Sequence, residues 1–198
     1  MKLYDLSNNL LTLKNNELFD RLQGQKIPDI SLLNQDESLL KLNRNDTFRL
    51  VLYFYPMTGN PNKALPENWS SIQGAKGCTP QACSFRDNYD KLIKLNSLPV
   101  GISSQSVDDI KEMTLRLNIP YDVVSDQNLE FTKKLKLPTF SVGKKVYIKR
   151  LTLIVEKSLI KHIFYPISEP DKHILEVLDW LKKISYEKFF NIYFFIFL

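Results

Sequence analysis

The stretch FRLVLYFYP, Phe48 to Pro56, limits the architecture of this 198-residue chain more than any other. It is a near-continuous run of aromatic and aliphatic side chains, which reads as a β-strand buried on both faces and ending at Pro56. A strand of that kind lies inside a sheet with layers packed on either side, so the surrounding segments have to supply further strands and covering helices.

They are legible on both sides. IPDISLLNQDESLLKL, from Ile27, reads as a strand, a turn at Asn34 to Glu37 and a second strand. Met57 to Gly77 holds three Gly, two Pro and three Asn without a sustained period, a long connection of the sort that is usually functional when ordered. Next, Ala82, Phe85, Tyr89, Leu92, Ile93 and Asn96 keep the spacing of one amphipathic helix, with Thr79 placed to cap it and Pro80 suited to its first turn. LPVGIS is a strand, Val107, Ile110, Met113 and Leu117 mark a helix, YDVVSD is a strand and QNLEFTKKLKL a helix. VYIKRLTLIVEKSLIKHIFYP reads as two strands about a turn at Glu156 to Ser158, and SEPD introduces a closing helix with Ile174, Val177, Leu178 and Leu181. A strand pair, three alternating βα units, a hairpin and a helix make the element order of a thioredoxin-like α/β domain, a central mixed β-sheet flanked by helices. The expected boundaries are an N-terminal extension over 1–25, the domain over 26–184 and an apolar tail over 185–198.

With 43% apolar and 25% charged side chains, the composition suits one globular domain. The formal charge of +5 is mild and its lysines are scattered, so no phosphate-binding stripe is present and nucleic acid is not an expected partner. The first 22 residues show neither an unbroken apolar core nor a small-residue cleavage site, so no secretory signal is expected. A chain with two cysteines and no export signal fits a reducing, cytoplasmic setting, where a thiol pair is more often catalytic or redox-sensing than a staple. The tail from Phe189 to Leu198 is almost wholly apolar, but ten residues are about half of a membrane span. It reads as a strand or tail packed on the domain or another subunit, or as an aggregation-prone appendage, with a membrane anchor ranked last.

Both cysteines, Cys78 and Cys83, fall in GCTPQACSFRD. If one helix carries both, a five-residue step rises about 7.5 Å and turns about 140°, which puts the α-carbons roughly 8 to 9 Å apart with diverging side chains. A disulfide needs α-carbons within about 7 Å, so the sulfurs can join only if the first turns unwind or Cys78 lies outside the helix. Two thiols do not close a zinc site, and the only histidines, His162 and His173, are distant in sequence, so no metal is expected. Two inert buried thiols are the plain alternative. Against it, Cys78 follows a glycine, has Lys76 nearby and sits where a helix N-terminus favours a thiolate.

YFYP at the end of the core strand, GCTPQACSFRD, VGIS, SD and KRLTLIVEKSLIKHIFYP together resemble the peroxiredoxins, in particular the bacterioferritin comigratory protein type whose two cysteines are separated by four residues. The loop carrying TGNP, LPENW and GAKGCTPQ looks like a subgroup with a longer connection, and the likeness covers roughly Lys26 to Lys182. The resemblance implies a cofactor-free thiol peroxidase acting on hydrogen peroxide, with organic hydroperoxides as a further class. Cys78 matches the peroxidatic cysteine, which becomes a sulfenic acid, and Cys83 the resolving cysteine. Arg150 matches the arginine that polarises the peroxide and holds the thiolate charged, and Pro56 the proline that shields the site. A thioredoxin-like dithiol protein is the implied reductant, and the chain is expected as a monomer or homodimer.

One departure stands out. The family places a threonine or serine three residues before the peroxidatic cysteine and a proline four further back, where this chain has Ala75 and Ser71. Thr58, two residues after Pro56, is the candidate for the missing hydroxyl. Arg86 and Asp87 read as a surface ion pair, and Trp69 either covers the site or anchors its loop. Pro138 in LKLPTF is either the proline that thioredoxin-like folds set near their active site or simply a helix end. A protein-disulfide oxidoreductase and a non-catalytic redox sensor are the rival functions, the first disfavoured by the cysteine spacing.

Overall fold

The computed structural model describes residues 16–45 and 47–196, with side chains to Glu187. Helix α1 covers 16–22. It is followed by β1 (Ser31–Asn34), β2 (Leu39–Lys41) and β3 (Arg49–Phe54). Helices α2 (Cys78–Asp87) and α3 (Tyr89–Lys94) lead to β4 (Ser97–Ser103), α4 (Val107–Leu117), β5 (Val123–Ser125) and α5 (Glu130–Lys134). A hairpin of β6 (Thr139–Val142) and β7 (Lys145–Ile148) precedes β8 (Leu151–Glu156), β9 (Leu159–Phe164) and α6 (His173–Ile196).

Seven strands form one sheet in the order β2-β1-β5-β4-β3-β8-β9. β3, β4 and β5 run parallel at its centre, and β1, β8 and β9 pair antiparallel outside them. Every residue of β3 is buried, as its apolar run predicts. Alternation divides its side chains between two cores: Leu50, Leu52 and Phe54 pack with Leu18, Leu22 and Phe131, while Val51, Tyr53 and Tyr55 pack with Phe85, Leu92, Ile110, Met113 and Val177. Helices α1 and α5 therefore cover one face, and α2, α3, α4 and α6 the other. The same alternation in β8 sends Leu151 and Leu153 to the first core and Ile154 to the second. Arg150 and Thr152, in step with Ile154, thus belong to the α2 side.

Four sequence expectations are corrected. The cap of α2 is Gly77, not Thr79, because the helix already begins at Cys78. The helix expected from Ala82 to Asn96 is two, broken at Asn88, whose φ of −114° leaves the helical range and whose side-chain amide donates to the Ser84 carbonyl. VYIKRLTLIV is not one strand: β7 pairs with β6 in a separate two-stranded sheet, and the chain crosses to the main sheet at Lys149 and Arg150. The apolar tail is no strand either, since the α6 backbone stays helical through Ile196. Leu18 and Leu22, in the segment read as an extension, belong to the main core. Among the described residues no helix is long and apolar enough to cross a membrane.

Candidate active site

β3 delivers the chain to Pro56, which is buried and accepts a hydrogen bond from Ser103 Oγ at 3.4 Å. The loop that follows is anchored by Trp69, 4% exposed, whose ring meets Tyr147 edge-on at 4.9 Å and Phe140 at 5.9 Å on the β6–β7 hairpin. Trp69 therefore ties the loop down. The loop returns at Gly77, where φ is +94° and a β-carbon would lie 2.3 Å from Pro170 Cγ. Only glycine meets both demands, a left-handed backbone and a close pass under the segment that enters α6.

Helix α2 starts at once, and no side chain caps it. Pro80, third in the helix, has no N–H to satisfy. Cys78, 3% exposed, occupies the first position; its Sγ donates to the Ala75 carbonyl at 3.5 Å and accepts from Arg150 Nη2 at 3.1 Å. That guanidinium, 4% exposed, also donates through Nη2 to the carbonyls of Lys76 at 2.8 Å and Gly74 at 3.3 Å, and through Nη1 to Gln81 Oε1. A cation against the sulfur and a helix N-terminus behind it are the two features that favour a nucleophilic thiolate. A cavity of about 300 Å³, bordered by Ile72, Lys76, Gly77, Arg150, Ile167 and Pro170, opens onto this guanidinium.

Cys83 lies five residues along the same helix and is half-buried; both thiols are free. Rings floor the helix: Tyr53 stacks on Phe85 at 4.5 Å, the Tyr53 and Tyr121 hydroxyls lie 3.0 Å apart, and Tyr121 donates to the Ala82 carbonyl at 2.9 Å. Burial pushes both phenols far above the usual tyrosine range, so they remain protonated donors. At the far end of α2, Arg86 pairs with Asp87 at 2.8 Å and donates to the Leu117 carbonyl at 2.7 Å, which joins α2 to the end of α4.

The structure brings Cys78, Arg150 and the start of α2 together and sets Cys83 beyond disulfide reach in the intact helix. Thr58 is occupied elsewhere. Its hydroxyl donates to Gln105 Oε1 at 3.1 Å, its amide donates to the same oxygen at 2.8 Å, and Gln105 Nε2 donates back to its carbonyl at 3.2 Å. No hydrogen bond joins Thr58 to Cys78 among the described residues; at position 75 the backbone carbonyl, not a side-chain hydroxyl, meets the sulfur. Gln81 escaped the sequence reading because a glutamine inside a helix is routine, and its partner comes from 69 residues away. Its place three residues after Cys78, on the same helix face, was the only available sign.

A family model described as Redoxin matches residues 22–178. A chloroplastic peroxiredoxin Q of Arabidopsis thaliana is 30% identical over 161 residues, 81% of this chain and 67% of its own length. The peroxiredoxin Q of Sedum lineare is 28% identical and is covered to 85%. Among solved structures, peroxidoxin BcpB from Mycobacterium tuberculosis superposes with a TM-score of 0.66 at 23% identity, covering 82% of this chain and 97% of that one. A PrxQ from Xylella fastidiosa gives 0.67 at 20% identity, with 82% and 96% covered. With the fold, the matched span and the relatives agreeing, the chain belongs to the redoxin family, as a peroxiredoxin of the Q or bacterioferritin comigratory protein type.

Proposed function

We propose that this peroxiredoxin reduces hydrogen peroxide, and organic hydroperoxides as a further class, through a thiolate at Cys78. The observation that carries the reading is Arg150 Nη2, 3.1 Å from Cys78 Sγ at the start of α2. The sulfur attacks one peroxide oxygen, the O–O bond breaks, and the other oxygen leaves as hydroxide or alkoxide and takes up a proton. Arg150 donates to the attacking sulfur and meets the charge that develops on the leaving oxygen. Pro56, buried at the end of β3, is the residue assigned to shield the sulfur from solvent. Thr58, held by Gln105, serves first to fix the start of the loop that follows β3; a role toward peroxide requires that bond to open.

Cys83 then condenses with the sulfenic acid, releasing water and forming a disulfide. Because about 7.5 Å of helix rise separates the two residues, the first turns of α2 unwind in this step, and hydrogen exchange at Cys78 to Cys83 rises on oxidation. A thioredoxin-like dithiol returns both thiols. A chain with two cysteines fits a reducing compartment such as the cytoplasm; the plastid named for plant relatives is theirs, and the chain acts as a monomer or homodimer.

The test is peroxide consumption with thioredoxin, thioredoxin reductase and NADPH. Cys78→Ser is expected to abolish turnover, and Cys83→Ser to allow one oxidation without recycling. An inert wild-type protein with several dithiol reductants would end the reading.

A further inference from the structure

Gln81 is wholly buried, and its side chain and that of Cys78 are both held by the Arg150 guanidinium. Arginine only donates, so the carboxamide must offer its oxygen to Nη1, which settles the orientation of the amide and leaves Nε2 as a free donor. Nε2 is buried and has no hydrogen-bond partner in the protein, and neither does Arg150 Nε. Two buried, unmatched donors on the two side chains joined at this guanidinium, one of which also holds the sulfur, call for an acceptor that the described residues do not supply. The hydroxyl expected three residues before the cysteine is absent, since position 75 is alanine, and the Thr58 hydroxyl is taken by Gln105.

We propose that the Gln81 carboxamide N–H binds the peroxide, donating to its oxygens as negative charge builds on the one that leaves, and so does the work of the missing hydroxyl. The group is unchanged by the reaction: it lends a hydrogen bond, and the proton for the leaving oxygen comes from solvent. The cavity that Arg150 borders is the approach, and Gln81 is held by the same guanidinium. The proposal rests on the peroxidase reading and adds a specific substrate contact to it.

The experiment uses the full chain in a Cys83→Ser background and compares Gln81→Glu with Gln81→Met. Glutamate keeps an acceptor for Arg150 but loses the N–H; methionine loses both in a similar shape. Two rates are read: second-order oxidation of Cys78 by hydrogen peroxide, and alkylation of Cys78 by iodoacetamide on its high-pH plateau, which needs a placed thiolate but no peroxide contact. Gln81→Glu is expected to slow peroxide oxidation about 100-fold, the scale of one lost oxyanion donor, while plateau alkylation stays within about threefold. If both rates fall together in both variants, Gln81 acts only by placing Arg150 and the proposal is overturned; unchanged peroxide rates overturn it as well. A parent protein that alkylates normally but ignores peroxide overturns the peroxidase reading itself, a result distinct from either.

Discussion

Gly77→Ala tests whether the site depends on one backbone position. A β-carbon there meets two obstacles: a φ of +94° and Pro170 Cγ at 2.3 Å. Left-handed backbone costs a residue with a β-carbon about 1–2 kcal/mol, and overpacking against a ring that cannot swing away adds about 1–3 kcal/mol. Stiffening of the unfolded chain offsets about 0.4–1 kcal/mol. The net loss is about 2–4 kcal/mol, and at about 2–4 °C per kcal/mol for a chain of this size the melting point falls by about 5–15 °C. Gly74→Ala is the internal control, because its φ is +82° but nothing lies within 4 Å of the added carbon; it should fall by only about 0–6 °C, the strain less the same unfolded-chain offset. Pro170→Ala removes the colliding atom, so the double variant should recover the stability lost to the clash and show a coupling of about 1–3 kcal/mol. Gly77 also sets where Cys78 begins the helix, so the peroxide rate of Gly77→Ala should drop by about tenfold or more even well below its melting point. Thermal unfolding by circular dichroism and stopped-flow oxidation read the two effects. Equal melting points for Gly77→Ala and Gly74→Ala, with no coupling to Pro170, would refute the reasoning.

Arg150→Lys keeps the charge but cannot hold Gln81, the Lys76 and Gly74 carbonyls and the sulfur together; peroxide oxidation should slow by about 100-fold, the scale of one oxyanion donor, and a loss under threefold would remove Arg150 from the chemistry. Tyr121→Phe deletes the bond to the Ala82 carbonyl, worth about 1 kcal/mol, so disulfide formation after the sulfenic acid should quicken about fivefold; rapid-quench mass spectrometry showing no change would mean the floor does not restrain α2. Burial lowers the pKa of His173 and of His162 below the ordinary value of 6.5. Both are therefore neutral in the fold and take up protons on unfolding, so their contribution is present above about pH 6.5 and is lost as pH falls through the folded values, at up to about 1.4 kcal/mol per pH unit for each group. Asp126, raised by burial, has the opposite sign, so the readout is the difference between wild type and His173→Gln in urea midpoints at pH 7.5 and 5.5; a slope left unchanged by the substitution would clear His173.

Much of the scaffold was legible because its signals are local. β3 announced itself by a run of large apolar residues, α4 by Val107, Ile110 and Met113, and the first turn of α2 by Pro80, although its cap is Gly77 and not Thr79. Misread places share a cause. Apolar spacing runs straight through Asn88, so a break between two helices of similar phase leaves no mark in the periodicity. Val146 to Val155 is uniformly strand-like, and nothing in it says that the chain leaves a two-stranded sheet for a seven-stranded one between Ile148 and Leu151. That crossing is where Arg150 stands.

The amino-acid order by itself determined the α/β class, the buried strand ending at Pro56, the helix that carries both thiols and the five-residue step that keeps them apart, because sterics and helix geometry act over a few residues. Tertiary structure alone decided the strand order β2-β1-β5-β4-β3-β8-β9, the burial of Leu18 and Leu22 in the main core, the anchoring of the loop by Trp69 on Tyr147, and the diversion of Thr58 to Gln105. It also joined Cys78 to Arg150 across 72 residues and Arg150 to Gln81 across 69. Those meetings follow from packing two cores on one sheet, where the free energy lies in contacts between distant segments and no local pattern encodes which segment will be the neighbour.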